Sequence, residues 1–176
     1  MNYNKLVCLD LEMTCWDDGR EPRTGEIIEV GLAKVDLAKA EIEKSSSYIV
    51  KPDNDEVSEF CTELTGHTQS SVNKQGRPLA DVLETVVKNY GGRNVIYGSW
   101  GRDDEVLRKE CSAKGIEYPF KEYINLATVF RMQHRVKNKR FGHRRAMKIA
   151  GLDWEGRQHS GVVDAQNLAR LALTML

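Results

Sequence analysis

The segment of the chain that decides the fold is residues 6–16, Leu6-Val7-Cys8-Leu9-Asp10-Leu11-Glu12-Met13-Thr14-Cys15-Trp16. Its first four residues are apolar, which predicts a buried strand. Side chains alternate between the faces of a strand, so Asp10 and Glu12 point to one face, with their Cα atoms about 7 Å apart. Two carboxylates at a buried strand end repel each other and lose solvation, and a divalent cation with oxygen ligands removes both costs. The alternative is a strand end where both acids face water.

A further acidic position lies near the C-terminus, in the segment His159-Ser160-Gly161-Val162-Val163-Asp164. After it, apolar residues recur at helical spacing and predict a helix: Leu168, Leu171, Ala172 and Met175. Asp164 lies on the core-facing stripe of that helix, where a carboxylate needs a compensating partner. It also suits the helix N-terminus as a cap or a favourable charge, and both roles are compatible. His159 falls in the preceding loop, so we expect it near the same carboxylate.

Composition and charge limit the possible function classes. The 176 residues predict one domain, 1–176, with a substantial core. Lys plus Arg equals Asp plus Glu, at 26 each, so any attraction to nucleic acid must come from local clusters. The sequence has no apolar run long enough for a membrane span and no signal-peptide pattern, which predicts a cytoplasmic protein with no membrane partner. The four cysteines lack CxxC spacing, so we expect free thiols rather than a zinc site.

The order of predicted elements indicates an α/β fold. Short connections join the first strand to strands at 26–36 and 41–50, which predicts an antiparallel meander. Residues 60–72 fit a short helix and a loop. Strands and helices then alternate: a helix at 78–90, a strand at 95–98, a helix from about 103 to 114, a strand at 123–125, and helices at 126–136 and 144–150. This order predicts a mixed central sheet with helices packed on it.

The acidic positions all fall where a strand ends or a helix begins, and such ends converge at one edge of an α/β sheet. The set is Asp10, Glu12, one of Asp103 and Asp104, His159 and Asp164. Four carboxylates and an imidazole suit two-metal hydrolysis of a phosphodiester, in which two cations about 3.5–4 Å apart stabilise the attacking and leaving oxygens. Imidazole side chains titrate near neutral pH, so His159 is a candidate to take the proton from the attacking water.

This pattern resembles the DEDDh 3′–5′ exonucleases of the DnaQ-like, RNase H-like superfamily. It is most similar to the Eri-type branch, which includes the 3′ exonucleases of histone mRNA and small RNAs. The resemblance rests on four segments in order: Asp10-Leu11-Glu12-Met13-Thr14-Cys15-Trp16, Glu26-Ile27-Ile28-Glu29, Ser99-Trp100-Gly101, and Gly156-Arg157-Gln158-His159-Ser160-Gly161 leading to Asp164. It implies an RNase H-like exonuclease fold and metal-dependent 3′–5′ hydrolysis of RNA from single-stranded 3′ ends, releasing nucleoside 5′-monophosphates.

The same resemblance implies residue roles. Asp10, Glu12, Asp103 and Asp164 would hold two divalent cations, Mg²⁺ or Mn²⁺, and His159 would be the general base. Met13 and Thr14 would line the pocket for the terminal nucleotide. Apart from these implied roles, Trp100 and His159 are further candidates for contact with the nucleotide. Relatives often carry one more residue before the midchain acid, which leaves Asp104 as an alternative. We choose Asp103 because Val106 and Leu107 then fall three and four residues later, on the expected helical face.

Several other features have two interpretations. Basic residues are densest between Arg131 and Lys148 and either hold a phosphate backbone or form a solvated surface. Trp100 either stacks on a base or packs in the core. His67, His134 and His143 have no acid at ligand spacing and are expected to be structural or surface residues. The competing functions are a DNA-directed 3′–5′ exonuclease and a non-catalytic RNA-binding module on the same fold.

Overall fold

A computed structural model describes residues 1–19, 25–137 and 141–176. Its central sheet has five strands: β1 (Asn2–Met13), β2 (Ile27–Asp36), β3 (Glu41–Ile49), β4 (Val95–Ser99) and β5 (Glu122–Asn125). The strands lie in the order β3-β2-β1-β4-β5. The first three form an antiparallel meander, and β4 and β5 extend the sheet as parallel strands beside β1. The predicted mixed sheet is therefore confirmed.

Seven α-helices flank the sheet in the described ranges: α1 (Glu59–Thr65), α2 (Gln69–Gln75), α3 (Leu79–Tyr90), α4 (Asp103–Ala113), α5 (Leu126–His134), α6 (His143–Ile149) and α7 (Gly161–Met175). A 3₁₀ turn at Gly92–Asn94 precedes β4. None of these helices is both long and apolar enough to cross a bilayer. All four cysteines are free thiols.

The segment predicted as a short helix and a loop contains two helices, α1 and α2. Gly66 separates them because it takes a left-handed conformation, with φ of 86°, that ends α1. Ser58 and Thr68 then cap the two N-termini, accepting the backbone N–H groups of Cys61 and Ser71. The second segment, expected as a loop, is a helix because it has its own N-cap residue. Apolar periodicity, on which the prediction was based, does not detect such caps.

The sheet divides the core into two layers, and β1 contributes to both. Val7 and Leu9 pack with α3 and α4 on one face. Leu6 and Cys8 pack with α5, α6 and α7 on the other. The alternation of the strand continues this second face to Asp10 and Glu12. The two acids therefore emerge on the side of the sheet that α7 covers.

Candidate active site

Asp10 and Glu12 stand at the end of β1 among further carboxylates. Burial raises the pKa of Asp10 well above its usual value, and the negative charges of Asp103, Asp164, Glu12 and Glu29 add to that effect. Burial likewise raises the pKa of Glu12 to about 8, reinforced by Asp164 and Glu29. Each carboxylate thus makes its neighbours harder to ionise. The predicted pair on one face has become a cluster contributed by four elements of the fold.

The structure distinguishes Asp103 from Asp104, which lie in the first turn of α4. The Asp103 carboxylate accepts the backbone N–H of Leu11 at 3.3 Å, so it lies against the residue between the two acids of β1. Burial raises its pKa. Asp104 instead accepts the Arg108 Nε–H at 2.9 Å and the Tyr118 hydroxyl. Of the two, only Asp103 joins the carboxylate cluster.

Asp164 and His159 approach the cluster from the start of α7. The backbone N–H of His159 donates to Asp164 Oδ2 at 2.9 Å, and His159 holds a left-handed φ of 58°. Such a conformation is uncommon for a residue with a side chain, and it concentrates at functional sites. Asp164 is 8% exposed, while His159 is exposed to solvent. The loop thus ties the backbone of His159 to a buried acid and leaves its ring accessible.

These residues fit a divalent cation. No donor among the described residues reaches the buried Asp164 Oδ1. Burial raises the pKa of Asp164 to about 6. Within the same part of the chain, the donor atoms of Glu12, His159 and Asp164 lie within 4.8 Å of one another. An orphaned buried oxygen amid carboxylates is what a hard cation with oxygen ligands would satisfy.

The three remaining predicted nucleotide contacts are less open than His159. Thr14 is 1% exposed, and its hydroxyl donates to Asp55 at 2.7 Å and accepts the Glu26 N–H at 2.8 Å. Its side chain is therefore occupied in joining two loops. Met13 is half-buried against the α3 and α4 core layer. Contact of these two residues with the terminal nucleotide stays a prediction.

Trp100 is half-buried in an aromatic cluster. Its ring stacks on His143, with centroids 5.2 Å apart, and meets Phe130 edge-on at 5.8 Å. Burial lowers the pKa of His143 to about 4, which favours the neutral ring in this setting. The core interpretation of Trp100 thus accounts for much of its surface, and its contact with a nucleotide stays a prediction. His143 is thus packed among aromatic rings, and His134 is exposed and stacks on Phe130 with ring centroids 4.1 Å apart.

Glu29 and His67 are neighbours of the site that sequence reasoning did not assign. Glu29 pairs with Glu12 across the β1–β2 register. His67 Nε2 lies 2.7 Å from Glu29 Oε2. The two partners are 38 residues apart, so spacing could not reveal the contact. The only sequence signal was the segment Glu26-Ile27-Ile28-Glu29, which entered as part of a resemblance.

Comparisons with known proteins agree with this geometry. The family model described as Exonuclease (RNase_T) matches residues 7–172. The 3′-5′ exonuclease Snipper of Drosophila melanogaster is 30% identical, across 99% of this chain and 70% of its own length. The 3′-5′ exoribonuclease 1 of Rattus norvegicus is also 30% identical, across 99% of this chain and 53% of its own length. The chain therefore spans about half of that relative.

Two solved structures are similar in fold. A 3′-exonuclease described in 3′-end specific recognition of a histone mRNA stem-loop has a TM-score of 0.88 and 26% identity, covering 99% of this chain and 82% of that one. The nuclease domain of 3′hExo, a DEDDh family member bound to rAMP, has a TM-score of 0.87 and 28% identity, covering 98% and 92%. The sheet order and flanking helices described above are thus those of RNase H-like exonucleases.

Proposed function

Because the chain belongs to the exonuclease family RNase_T, in its Eri-type DEDDh branch, we propose that it shortens RNA from the 3′ end. Each cycle would hydrolyse the last phosphodiester bond and release a nucleoside 5′-monophosphate. The observation that carries this proposal is the convergence of Asp10, Glu12, Asp103 and Asp164 with His159 at the end of β1. We further propose that residues 1–176 act as one exonuclease domain. The cytoplasmic location stays a prediction.

Asp10, Glu12, Asp103 and Asp164 would hold two divalent cations, Mg²⁺ or Mn²⁺. Bound cations supply positive charge at the attacking and leaving oxygens of a phosphodiester. The four acids supply oxygen donors whose pKa values are raised by burial and, for Asp10 and Glu12, also by the charges of neighbouring carboxylates, so ligation and ionisation are coupled. Buried Asp164 Oδ1 accepts no hydrogen bond from the described residues, so it would be one of the oxygen atoms that bind a cation.

His159 would act as the general base. Its ring is exposed and lies within reach of Glu12 and Asp164, whereas its backbone N–H is fixed on Asp164 Oδ2. A ring nitrogen of His159 would accept a proton from the attacking water while the water oxygen bonds to phosphorus. The bond from phosphorus to the 3′ oxygen breaks, and that oxygen takes a proton to become the new 3′ hydroxyl. Proximity to Glu12 and Asp164 would also allow His159 to bind a cation, and the Mn²⁺ affinity of His159→Ala distinguishes the two roles.

Exposed basic residues beside the site support a nucleic acid substrate. Arg144 donates to the Gln158 side chain at 2.9 Å, so α6 adjoins the loop that carries His159. Arg145 and Lys148 are exposed on the same helix, and Arg135 and Lys137 are exposed after α5. Lys139 and Arg140, within the same basic stretch, lie outside the described residues. The exposed basic residues of α6, which adjoins the His159 loop, would suit the backbone of a single strand.

One cleavage experiment distinguishes the alternative functions. RNA and DNA of the same sequence, labelled at the 3′ or the 5′ end, are incubated with excess chelator, with Mg²⁺ or with Mn²⁺. We expect metal-dependent release of labelled mononucleotide from 3′-labelled RNA and stepwise shortening of 5′-labelled RNA. Faster cleavage of DNA would identify a DNA-directed exonuclease. Binding without cleavage under every condition would identify a non-catalytic module, and full activity in excess chelator would refute the metal mechanism.

A further inference from the structure

Glu29 is a fifth carboxylate at the edge of the cluster, and it is buried. It lies on β2, directly opposite Glu12 in the antiparallel register, and its side chain is 3% exposed. Its charge contributes to the raised pKa values of Asp10, Glu12 and Asp164. Burial of an unpaired charge is costly, so a carboxylate in this position needs hydrogen-bond donors around it.

Glu29 Oε2 accepts two hydrogen bonds from different parts of the fold. The backbone N–H of Gly161 donates to it at 3.1 Å, and His67 Nε2 lies 2.7 Å away. Gly161 is the first residue of α7, and the side chain of Ser160, which precedes it, makes no capping hydrogen bond. A carboxylate from β2 therefore satisfies a helix N-terminal donor that is more often satisfied by the helix's own cap.

The backbone of α7 touches β2 at this point. A Cβ on Gly31 would lie 1.9 Å from the Gly161 carbonyl carbon, and a Cβ on Gly161 would lie 3.0 Å from Glu29 Cδ. Two glycines thus allow the first turn of the helix to rest against the strand. Gly161 is two residues after His159 and three before Asp164. The contact between α7 and β2 therefore falls between His159 and Asp164 in the chain.

His67 connects the same contact to the α1–α2 region. It lies between these two helices, and its backbone N–H donates to Thr65 Oγ1 at 3.2 Å. The α1 end also accepts Arg157, whose guanidinium donates to the carbonyls of Glu63 and Leu64 at 2.9 and 3.3 Å. The segment that carries His159 is thus attached to the α1–α2 region on both sides of His159. On the N-terminal side the attachment is Arg157, and on the C-terminal side it runs from Gly161 through Glu29 to His67.

We propose that Glu29 and His67 are positioning residues that fix the first turn of α7, and through it Asp164 and the His159 loop, over the acids of β1. The inference rests on the proposed function, since it concerns the same metal site. Glu29 is not placed among the ligands, because its carboxylate is already occupied by protein donors. In keeping with this, its pKa is lowered despite burial, owing to His67 and the Gly161 N–H. The pKa values of the proposed ligands Asp10, Glu12, Asp103 and Asp164 are instead raised.

The test compares Glu29→Ala with Glu29→Gln, using Mn²⁺ alone as the probe and the electron paramagnetic resonance signal of free Mn²⁺ as the readout. Glu29→Ala removes both hydrogen bonds, and we expect Mn²⁺ affinity to fall about 10–100-fold, the usual effect of losing a partner that orients metal ligands. Glu29→Gln keeps an oxygen acceptor for Gly161, so it should recover most of that affinity. On labelled RNA, Glu29→Ala should lower kcat and leave KM nearly unchanged.

Asp36→Asn is the matched control. Asp36 is a buried carboxylate on the same strand, about 23 Å away at 3.3 Å per residue, and it pairs with Lys5 at 2.5 Å. The Asp36→Asn substitution should change the melting temperature of the protein without changing its affinity for Mn²⁺. If Glu29→Ala does not fold, His67→Ala, which keeps the Gly161 contact, should still weaken Mn²⁺ binding several-fold.

The outcomes separate the two claims. Wild-type Mn²⁺ affinity in folded Glu29→Ala, or in His67→Ala where only that variant folds, would refute the positioning role alone. Equal losses in Glu29→Gln and Glu29→Ala would also refute it, because the effect would then follow charge and not position. A wild-type protein that binds no Mn²⁺ would refute the proposed metal site and the positioning role together.

Discussion

Replacing Asp103 or Asp104 by Asn exchanges one carboxylate oxygen for an amide NH2 group in either of two adjacent residues. The structure predicts different effects of the two substitutions on turnover. Asp103 lies against Leu11 within the carboxylate cluster. Asp104 pairs with Arg108 and Tyr118 on the surface of α4. Asn is nearly isosteric with Asp, so both variants should fold. The pair is therefore a matched test of which residue belongs to the site.

The size of the activity loss follows from the charge removed. Two unit charges about 5 Å apart interact by about 3 kcal/mol at an effective dielectric constant of about 20. Since about 1.4 kcal/mol corresponds to a factor of ten in rate, Asp103→Asn should lower kcat by at least about 10²-fold. Asp104→Asn removes a partly exposed i,i+4 ion pair, worth about 0.3–0.5 kcal/mol, and should keep kcat within about threefold.

Stability should change in the reverse order. Burial raises the pKa of Asp103, so its ionised form is unfavourable in the metal-free protein, and Asp103→Asn should raise the melting temperature in chelator at pH 7. Asp104→Asn should lower it slightly. Single-turnover cleavage of labelled RNA and thermal unfolding measure the two effects. Loss of turnover in Asp104→Asn with normal turnover in Asp103→Asn would refute the assignment.

Three further outcomes are expected. In chelator, the melting temperature should decline between about pH 4.5 and pH 8. The reason is that folding raises the pKa of Glu12 to about 8, so its contribution to stability is lost as the pH rises to that value. Saturating Mn²⁺ should flatten the decline, and equal stability at pH 5 and pH 8 in chelator would contradict the prediction. His159→Ala should lower kcat by about 10²–10⁴-fold and keep Mn²⁺ affinity, whereas lost affinity would make His159 a ligand. Arg144→Glu with Lys148→Glu should weaken RNA binding and reduce its salt slope by about 0.7 per lost phosphate contact, while hydrolysis of a small phosphodiester persists; unchanged RNA affinity would indicate a solvated surface.

Much of the fold and most of the cluster were predictable because they depend on local periodicity. The apolar run before Asp10 predicted a buried strand, and alternation predicted that Glu12 shares its face. Helical spacing after Asp164 predicted α7, and the phase of Val106 and Leu107 favoured Asp103. The structure agrees on each of these placements. Whether these residues bind metal or catalyse hydrolysis stays a prediction.

Other features depended on contacts between distant segments. Nothing near Thr14 in the sequence indicated that Asp55 would hold its hydroxyl. His67 had no acid at a regular spacing, yet it meets Glu29 once α1 and α2 pack beside β2. Trp100 had two interpretations until the positions of α5 and α6 surrounded it with Phe130 and His143.

Alternation along a strand and periodicity along a helix are properties of a few consecutive residues, so the order of amino acids already indicated the strands, most of the helices and the faces on which the acids lie. The distance between those faces is a property of packing. That distance depends on the contact in which Gly31 and Gly161 let α7 pack on β2 and Glu29 accepts the first N–H of that helix. Because that contact joins residues 130 positions apart, its geometry follows from how closely two backbones can approach and not from any pattern within either segment.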